Sequence, residues 1–351
     1  MRVSIPWGTT TTWVEVEDWR VGGVLGAAVE QASDPESTLR AALSEPGGHL
    51  GKFLAGARSP LLVVVNDGTR PTPSAEVLRV IHPYLKQWAK RTGGRFSFAI
   101  ATGTHRAALP QEIDRIFGSE LALIYQGAIF SHDAKDEANL VYLGSTSRGT
   151  EVWVSRLLAE ANSVITINSV EPHYFAGYTG GRKSLFPGLA GYKTVWANHK
   201  LSMEPGSELL VLEGNPVHED LQECLTLGIA GKQVYSIQLV LDRDHRIGYA
   251  AAGDIEVSFR KAVSVAEKQF VLDLDCAYEV VVAVAPHPMD CNFYQTNKAI
   301  QSGALAVRPG GVLIVVSECP FGLGENQTLF DMLAAASSPA EAIAQAWRQE
   351  Y

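Results

Sequence analysis

The chain has 351 residues, of which 46% are hydrophobic and 19% are charged, and it carries a formal net charge of −9. This length exceeds what one ordinary hydrophobic core needs and predicts two domains, and the composition is that of a soluble globular enzyme. The negative charge argues against nucleic acid or an anionic membrane as a partner of the whole surface.

Short β-branched runs alternate along the chain with polar or glycine-rich turns and helical stretches, which predicts α/β units around a parallel sheet. The predicted strands are, in chain order, residues 61–65, 96–100, 164–167, 280–284 and 312–316. A helix is predicted through Leu78, Ile81 and Leu85 from their apolar spacing, and the segment from Tyr192 to His199 is also predicted to be helical.

The predicted fold class is therefore α/β, with a Rossmann-like parallel-sheet N-terminal domain over residues 1–268 and a second α/β domain over residues 269–351. The boundary is placed where an Ala/Val/Glu-rich helix gives way to the strand at Val280. The active site is expected in the cleft between the two domains.

Polar residues cluster directly after the first two predicted strands, where ligands bind in open α/β sheets. Residues 67–70 (Asp-Gly-Thr-Arg) follow the first strand, and residues 102–105 (Thr-Gly-Thr-His) follow the second. The similarity of these two four-residue sequences predicts the same turn geometry after both strands.

A glycine-rich segment, Gly177-Tyr-Thr-Gly-Gly-Arg-Lys-Ser184, comes after the third predicted strand. Glycines let backbone N–H groups converge on a phosphate, and Lys183 would add positive charge. The segment nearly matches the Walker A pattern, but Arg182 stands where that pattern requires its second glycine. This argues against an ATPase and leaves mononucleotide phosphate binding open. A glycine-rich turn with a solvated Arg-Lys pair is the alternative.

Three of the nine histidines stand in contexts that suggest chemistry: His105 and His173 follow predicted strands, and His199 lies in a predicted helix. Two neutral histidines that face one substrate could exchange protons reversibly near neutral pH. The chain has no His-x-x-x-His or His-Glu-x-x-His spacing, so a metal would need ligands from elsewhere, such as a cofactor. For each histidine, a hydrogen-bonded loop residue is the alternative.

Gln295 and Lys298 follow the fourth predicted strand and are three residues apart, so both can leave one helix face toward a carboxylate or a carbonyl oxygen. An ordinary solvated first turn is the alternative. Arg70, Lys183 and Lys298 together outnumber Asp67, and these cations predict an anionic ligand if their loops converge.

Together these segments resemble the lactate racemase family, the racemases and epimerases that depend on a nickel-pincer nucleotide. The matching segments run in the family's order over about residues 60–325: Asp67 to Pro73, Gly103 to His105, His173 to Lys183, His199, and Tyr294 to Lys298. The resemblance implies a racemase of lactate or another short-chain 2-hydroxy acid that acts by reversible hydride transfer to the cofactor. Malate would need a further cation for its second carboxylate, such as Arg106 or Arg182.

The resemblance also implies the roles of individual residues. Lys183 would carry the cofactor covalently (a pyridinium-3-thioamide-5-thiocarboxylic acid mononucleotide with nickel), and His199 would complete a roughly square-planar set that suits Ni(II). The other implied cofactor-binding residues are Asp67, Thr69, Thr179, Gly180 and Gly181. His105 and His173 would be the general acid/base pair. The implied substrate-binding residues are Arg70, Tyr294, Gln295 and Lys298.

Two other functions stay open. An NAD-dependent 2-hydroxy acid dehydrogenase would share the substrate class, although no well-placed Rossmann G-x-G-x-x-G follows a predicted strand. A non-catalytic phosphate-ligand-binding protein would explain the glycine-rich segment and leave the histidine pair unexplained.

Expected partners are the 2-hydroxy acid and, for maturation, the proteins that synthesise the cofactor, with a homodimer as the default assembly and neither nucleic acid nor membrane. The chain lacks a signal peptide, a transmembrane-length apolar run and any Cys-x-x-Cys pair, so a cytoplasmic protein with reduced thiols is expected. The family usually continues beyond residue 351, so we expect either a short form or a chain without its tail.

The implied roles predict separable outcomes for three variants of the holoenzyme. Lys183→Ala should lose the covalent nucleotide, because no amine is left to form the thioamide, and intact-protein mass spectrometry would show the missing mass. His105→Ala and His173→Ala should keep that mass and lose racemisation, since each removes a proton-transfer group only. A Lys183→Ala protein that still carries the added mass would contradict the assignment.

Overall fold

The computed structural model describes residues 1–26, 34–242, 244–287, 289–324 and 327–348. Within these residues the backbone divides into two compact units. The smaller unit contains the first 26 residues and those from Leu272 onward, and the larger unit contains the described residues from Asp34 to Val271. The larger unit therefore holds the glycine-rich segment and the three histidines singled out above.

The strands of the described residues are, in chain order, β1 (Arg2–Trp7), β2 (Thr10–Glu15), β3 (Leu61–Asn66), β4 (Phe96–Ala101), β5 (Ile129–Ser131), β6 (Leu140–Ser145), β7 (Glu151–Ser155), β8 (Ser163–Ser169), β9 (Pro172–His173), β10 (Gly177–Tyr178), β11 (Gln233–Leu241), β12 (Ile247–Gly253), β13 (Tyr278–Val284) and β14 (Val307–Val316). The α-helices are, in chain order, α1 (Pro35–Ala42), α2 (Leu50–Gly56), α3 (Ser74–Thr92), α4 (Pro110–Phe117), α5 (Ser119–Ile124), α6 (Arg156–Glu160), α7 (Tyr192–Lys200), α8 (Pro216–Gly228), α9 (Ile255–Phe270), α10 (Phe293–Ala304), α11 (Gln327–Ala335) and α12 (Pro339–Arg348).

The larger unit is built on a six-stranded sheet with the order β12-β11-β8-β3-β4-β5. The strands from β11 to β5 pair in parallel, and β12 pairs antiparallel with β11 at one edge. Every residue from Leu61 to Val65 of β3 is buried. Such a continuous apolar run, rich in valine, is what a parallel strand covered on both faces requires.

The side chains of β3 alternate between the two faces of the sheet, and each face has its own core. Val63 and Val65 belong to a buried cluster that includes Leu78 of α3. Val64 belongs to a second cluster that includes Leu221 of α8. The sheet is therefore the middle layer of a three-layer α/β unit.

The connections of the sheet change direction between β3 and β8. β4 and β5 lie on one side of β3, and β8 and β11 lie on the other. In open α/β sheets, a crevice for ligands forms outside the carboxyl ends of the strands at such a switch point. The turns after β3 and β4 and the segment after β8 all leave the sheet at this edge, because the three strands are parallel.

The smaller unit combines the antiparallel hairpin β1–β2 with the parallel pair β13–β14. The Gly22 backbone, which follows the hairpin, lies so close to the Tyr278 ring of β13 that a Cβ would overlap it. The predicted division instead assigns residues 1–26 to the N-terminal domain, since nothing in the sequence links the hairpin to the C-terminal strands. The division at residue 268 itself stays a prediction.

The mixed α/β class is confirmed, and the predicted strands are present as β3, β4, β8, β13 and β14. The predicted helices are present as α3 and α7, whereas β5, β11 and β12 of the large sheet were not predicted. Residues 349–351 lie outside the described residues. Within the described ranges, no helix combines the length and the apolar character that crossing a membrane requires.

Candidate active site

The turns after β3 and β4 share a hydrogen-bond pattern, and a pair of side chains joins them. The Arg70 N–H donates to the Asp67 carbonyl (3.2 Å) and the His105 N–H to the Thr102 carbonyl (3.0 Å), so the predicted repeat of one turn is confirmed in its hydrogen bonds. The His105 Nδ1 lies 2.8 Å from the Asp67 Oδ2, and the Thr69 Oγ1 donates to the Asp67 Oδ1 at 2.8 Å. This buried carboxylate therefore orients the imidazole.

The turn after β3 is also joined to the segment after β8. An ion pair connects the Arg70 Nη1 with the Glu171 Oε1 at 3.3 Å, and the Thr72 Oγ1 lies 2.9 Å from the Ser169 Oγ. Glu171 is therefore a second anion beside the predicted cations, in addition to Asp67. An anionic ligand at Arg70 would therefore share the guanidinium with Glu171.

A chain of buried hydrogen bonds ties the glycine-rich segment to the sheet. The Ser184 Oγ donates to the Asn66 Oδ1 (3.0 Å) at the end of β3 and also contacts the Asn168 Oδ1 in β8. The Gly181 N–H donates to the Gln238 Oε1 of β11 at 3.0 Å. The segment is thus anchored on three strands, and these anchors fix the Arg-Lys pair that lies between them.

The shape of the segment requires Gly180 and Gly181. Their φ angles are 81° and 54°, in the left-handed region that favours glycine. A Cβ on Gly181 would lie 2.8 Å from the Phe259 ring. The Thr179 Oγ1 donates to the Ser169 carbonyl at 3.0 Å. Phosphate contacts from the Thr179 hydroxyl and the Gly181 N–H would therefore compete with bonds that shape the segment.

The Phe175 ring is the point at which three predicted site residues meet. The centroid of the His173 ring lies 4.6 Å from its centroid, and that of His199 lies 5.2 Å away. The Lys183 Nζ lies over the same ring, 5.7 Å from the centroid. Phe175 had no predicted role, although it lies inside the His173–Lys183 segment that carries several of the predicted site residues.

The imidazole of His199 is held in its neutral form. Burial and, to a smaller extent, the charge of Lys183 lower the pKa of His199 to about 3, against the opposing effect of a hydrogen bond to the Val195 carbonyl. The neutral form is the one that binds a metal ion. Among the residues that the structure describes, no three His, Cys, Asp or Glu side chains gather in an arrangement that could hold a metal ion by themselves.

The side chain of Arg182, a residue of the glycine-rich segment, points into the protein interior. Its guanidinium is buried, its Nη2 donates to the Ala176 carbonyl (3.0 Å), and its Cζ lies 5.5 Å from the Phe259 ring centroid. Its Nε and Nη1 have no hydrogen-bond partner among the described residues, and burial lowers its pKa to about 9. Arg106 donates two hydrogen bonds to Glu112 (2.7 and 2.9 Å). Neither arginine is therefore well placed for a second substrate carboxylate.

Three of the predicted substrate-binding residues, Tyr294, Gln295 and Lys298, lie in the smaller unit, in the first turns of α10. The Asn292 Oδ1 caps this helix by accepting from the Gln295 N–H at 2.8 Å. Gln295 and Lys298 are half-buried, and Tyr294 is exposed. Their convergence with the residues of the larger unit, and the site between the domains, stay predictions.

Two family models match the sequence. Residues 7–209 match the lactate racemase N-terminal domain, and residues 274–350 match the lactate racemase C-terminal domain. The chain is 29% identical over 328 residues to a lactate racemase of Thermoanaerobacterium thermosaccharolyticum, a match that covers 92% of this chain and 75% of that protein. It is 27% identical over 352 residues to a lactate racemase of Lactiplantibacillus plantarum, covering 98% of this chain and 81% of that protein.

Two solved structures have a similar fold. The lactate racemase apoprotein from Thermoanaerobacterium thermosaccharolyticum matches with a TM-score of 0.88 and 26% identity, covering 100% of this chain and 82% of that chain. A protein from Thermotoga maritima matches with a TM-score of 0.66 and 17% identity, covering 90% of this chain and 82% of that chain. The second likeness concerns the fold alone.

The imidazole of His218, which is buried in α8, predicts a pH dependence of stability. Burial, followed by the charges of Arg182, Arg260 and Lys183, lowers the pKa of His218 from 6.5 to about 2. Below pH 6.5 the unfolded chain therefore binds a proton that the folded chain does not, so the free energy of unfolding falls as the pH decreases from 6.5 toward 2. One such proton contributes a slope of up to about 1.4 kcal/mol per pH unit.

Matched variants isolate this contribution. His218→Asn should flatten the dependence of the unfolding free energy on pH below 6.5, measured by urea unfolding at constant ionic strength. His245→Asn, at an exposed position whose left-handed backbone asparagine tolerates, should keep the wild-type slope. Equal slopes for the two variants would show that His218 is not held neutral.

Proposed function

Because the chain belongs to the lactate racemase family, we propose that it is an isomerase that inverts lactate or another short-chain 2-hydroxy acid. The observation that carries this proposal is the meeting of His173, Lys183 and His199 at the Phe175 ring, with His105 at the same edge of the sheet. Two proton-transfer groups, an attachment point and a metal ligand are the parts that such a reaction needs.

The residues at this edge fit a nickel-pincer nucleotide. Lys183 offers an amine on a segment that three strands anchor, and His199 offers a neutral imidazole at the same aromatic ring. His199 would hold the metal through one imidazole nitrogen, and the nucleotide would supply the remaining donors of a set that suits Ni(II). When bound, this group would supply a reversible hydride acceptor. The cofactor-synthesis proteins are the partners that loading would require.

Hydride transfer avoids the most costly charge state of the substrate. Removal of a proton from the carbon next to a carboxylate would place a second negative charge beside the first, and the two would repel. Removal of a hydride together with transfer of the hydroxyl proton to a base would leave a neutral keto group instead. Because this carbon is planar, the hydride can return to either face, and the centre is inverted.

His105 is the proposed base for the hydroxyl proton of one enantiomer. Its Nδ1–H donates to the Asp67 carboxylate at 2.8 Å, so the neutral ring presents its lone pair at Nε2. The negative charge of Asp67 would also stabilise the imidazolium that forms when His105 takes up the proton. Thr69 holds the carboxylate in place through its own hydrogen bond.

His173 has the complementary arrangement of protons. Its Nδ1 accepts from the Ala176 N–H at 3.4 Å, so the neutral ring carries its proton on Nε2. The ring is buried and packs edge-on against Phe175. For one enantiomer His105 would accept the hydroxyl proton, and His173, once protonated to the imidazolium, would return a proton to the keto oxygen; the two histidines would exchange these roles for the opposite enantiomer.

The substrate oxygens are proposed to bind Arg70, Gln295 and Lys298, with Tyr294 beside them. The ion pair with Glu171 holds the Arg70 guanidinium in position and uses its Nη1. The other N–H donors of the guanidinium could still bind a substrate oxygen. Substrate binding by the α10 residues stays a prediction, and so does the homodimer.

The function is tested on protein made together with the cofactor-synthesis proteins. Purified enantiomers of lactate and other 2-hydroxy acids are incubated with it and separated by chiral chromatography. We expect conversion of either enantiomer to the racemic mixture, one nickel ion per chain and the added nucleotide mass. NADH formation without racemisation would favour the dehydrogenase, and nickel-loaded protein that racemises none of the acids would refute the proposal.

Asp67→Asn tests the proton geometry at His105. The amide can present an N–H to the His105 Nδ1, which favours the tautomer without a lone pair at Nε2. We expect the racemisation rate to fall by about 10²- to 10⁴-fold, with unchanged nickel content and nucleotide mass. Asp114→Asn, an exposed substitution in α4, should keep the wild-type rate. A wild-type rate in Asp67→Asn would remove Asp67 from the mechanism.

A further inference from the structure

Asn198 precedes His199 in α7, and its side chain is completely enclosed. Its Nδ2 donates to the Val217 carbonyl (3.1 Å) and to the Asp220 Oδ2 (2.9 Å), both on α8. A backbone carbonyl can only accept a hydrogen bond, so the nitrogen of the amide must be the atom that faces α8. The orientation of the Asn198 amide is therefore fixed by its partners.

The oxygen of this amide faces His199. The His199 Nδ1 lies 3.2 Å from the Asn198 Oδ1, and the imidazole must be the donor because an amide oxygen has no proton to give. A neutral imidazole that carries its proton on Nδ1 has its lone pair on Nε2. The contact with the Asn198 amide thus favours a proton on Nδ1 and leaves Nε2 as the nitrogen that can bind a metal ion, with the Val195 carbonyl as the other acceptor at this ring.

Asp220 anchors Asn198 from the opposite side. Its carboxylate is fully buried, with the Thr146 Oγ1 donating to Oδ1 at 2.5 Å and the Thr150 Oγ1 donating to Oδ2 at 3.0 Å. Both threonines lie in the turn between β6 and β7. A chain of hydrogen bonds therefore runs from that turn through α8 to His199, and no step of the proposed reaction uses it.

We propose that Asn198, anchored by Asp220, is a positioning residue that presents His199 to nickel through Nε2 and sets how tightly the metal is held. The inference rests on the proposed function, in which His199 binds nickel. Metal-binding histidines commonly donate their second N–H to an outer partner, and loss of such a partner commonly lowers metal affinity or activity by about 10- to 100-fold. Here the outer partner is a neutral amide that a carboxylate keeps in place.

Nickel release from the purified holoenzyme tests this role. We expect Asn198→Ala to release nickel to excess EDTA about 10-fold faster than wild type, or more, with the covalent nucleotide mass retained. Asp220→Asn keeps the shape of the anchor and weakens it, so its release rate should lie between those of wild type and Asn198→Ala.

Thr194→Val is the matched control. Thr194 is a buried residue of the same helix, and its Oγ1 donates to the Glu151 carbonyl at 2.7 Å, away from the Asn198–Asp220 chain. We expect this variant to release nickel at the wild-type rate even if its thermal unfolding temperature falls. Equal acceleration in Thr194→Val and Asn198→Ala would mean that loosening α7 explains the effect, and the inference would fail.

Failure of the inference is distinct from failure of the proposed function. Wild-type protein without nickel or nucleotide mass would end the proposed function. Wild-type protein that holds nickel, together with an Asn198→Ala protein that releases it at the same rate, would overturn only the role of Asn198.

A measurement on the unmutated apoprotein does not depend on the folding of Asn198→Ala, Asp220→Asn or Thr194→Val. Nitrogen-15 chemical shifts of histidine rings report which nitrogen carries the proton, and the His199 signals are assigned by their loss in His199→Gln. We expect the proton on Nδ1 and the lone pair on Nε2. The opposite tautomer would overturn the inference.

Discussion

The hydrogen bonds of Ser184 with Asn66 and Asn168 join the glycine-rich segment to β3 and β8, and the rest of the site depends on this junction. These strands flank the switch point of the sheet, where the crevice for a ligand forms. Because Ser184 directly follows Lys183, its hydrogen bonds to the sheet fix the position of the Lys183 backbone. Sites that are supported by strands hold their geometry more precisely than sites carried on loops alone.

The two best-defined histidines are oriented by partners of different charge. His105 donates to the carboxylate of Asp67, and His199 donates to the neutral amide of Asn198. A carboxylate favours a protonated imidazole, which suits a group that must accept and return a proton. An amide gives direction without that bias, which suits a ligand that has to remain neutral. The Asp67 carboxylate therefore suits the proposed proton transfer by His105, and the Asn198 amide suits the proposed metal binding by His199.

Much of the fold could be predicted because its central strands are continuous apolar runs, as at Leu61 to Val65. β11 was missed because Ser236 and Gln238 interrupt its apolar pattern, and the structure shows that both belong to the buried polar chain beneath the segment. The candidate residues could be found from motifs, but their partners could not. Asp67 and His105 are 38 residues apart, and only the pairing of β3 with β4 brings them together.

Arg182 lies where solvent does not reach, and burial lowers the pKa of its guanidinium to about 9, a value that still lies above neutral pH. Dissolved ions weaken electrostatic attraction by gathering around a charge, over a distance of about 8 Å at physiological ionic strength. They cannot gather around a guanidinium that protein atoms enclose on every side. Its pull on an anion at the glycine-rich segment would therefore change little between dilute and concentrated salt solutions, in contrast to the pull of a surface arginine.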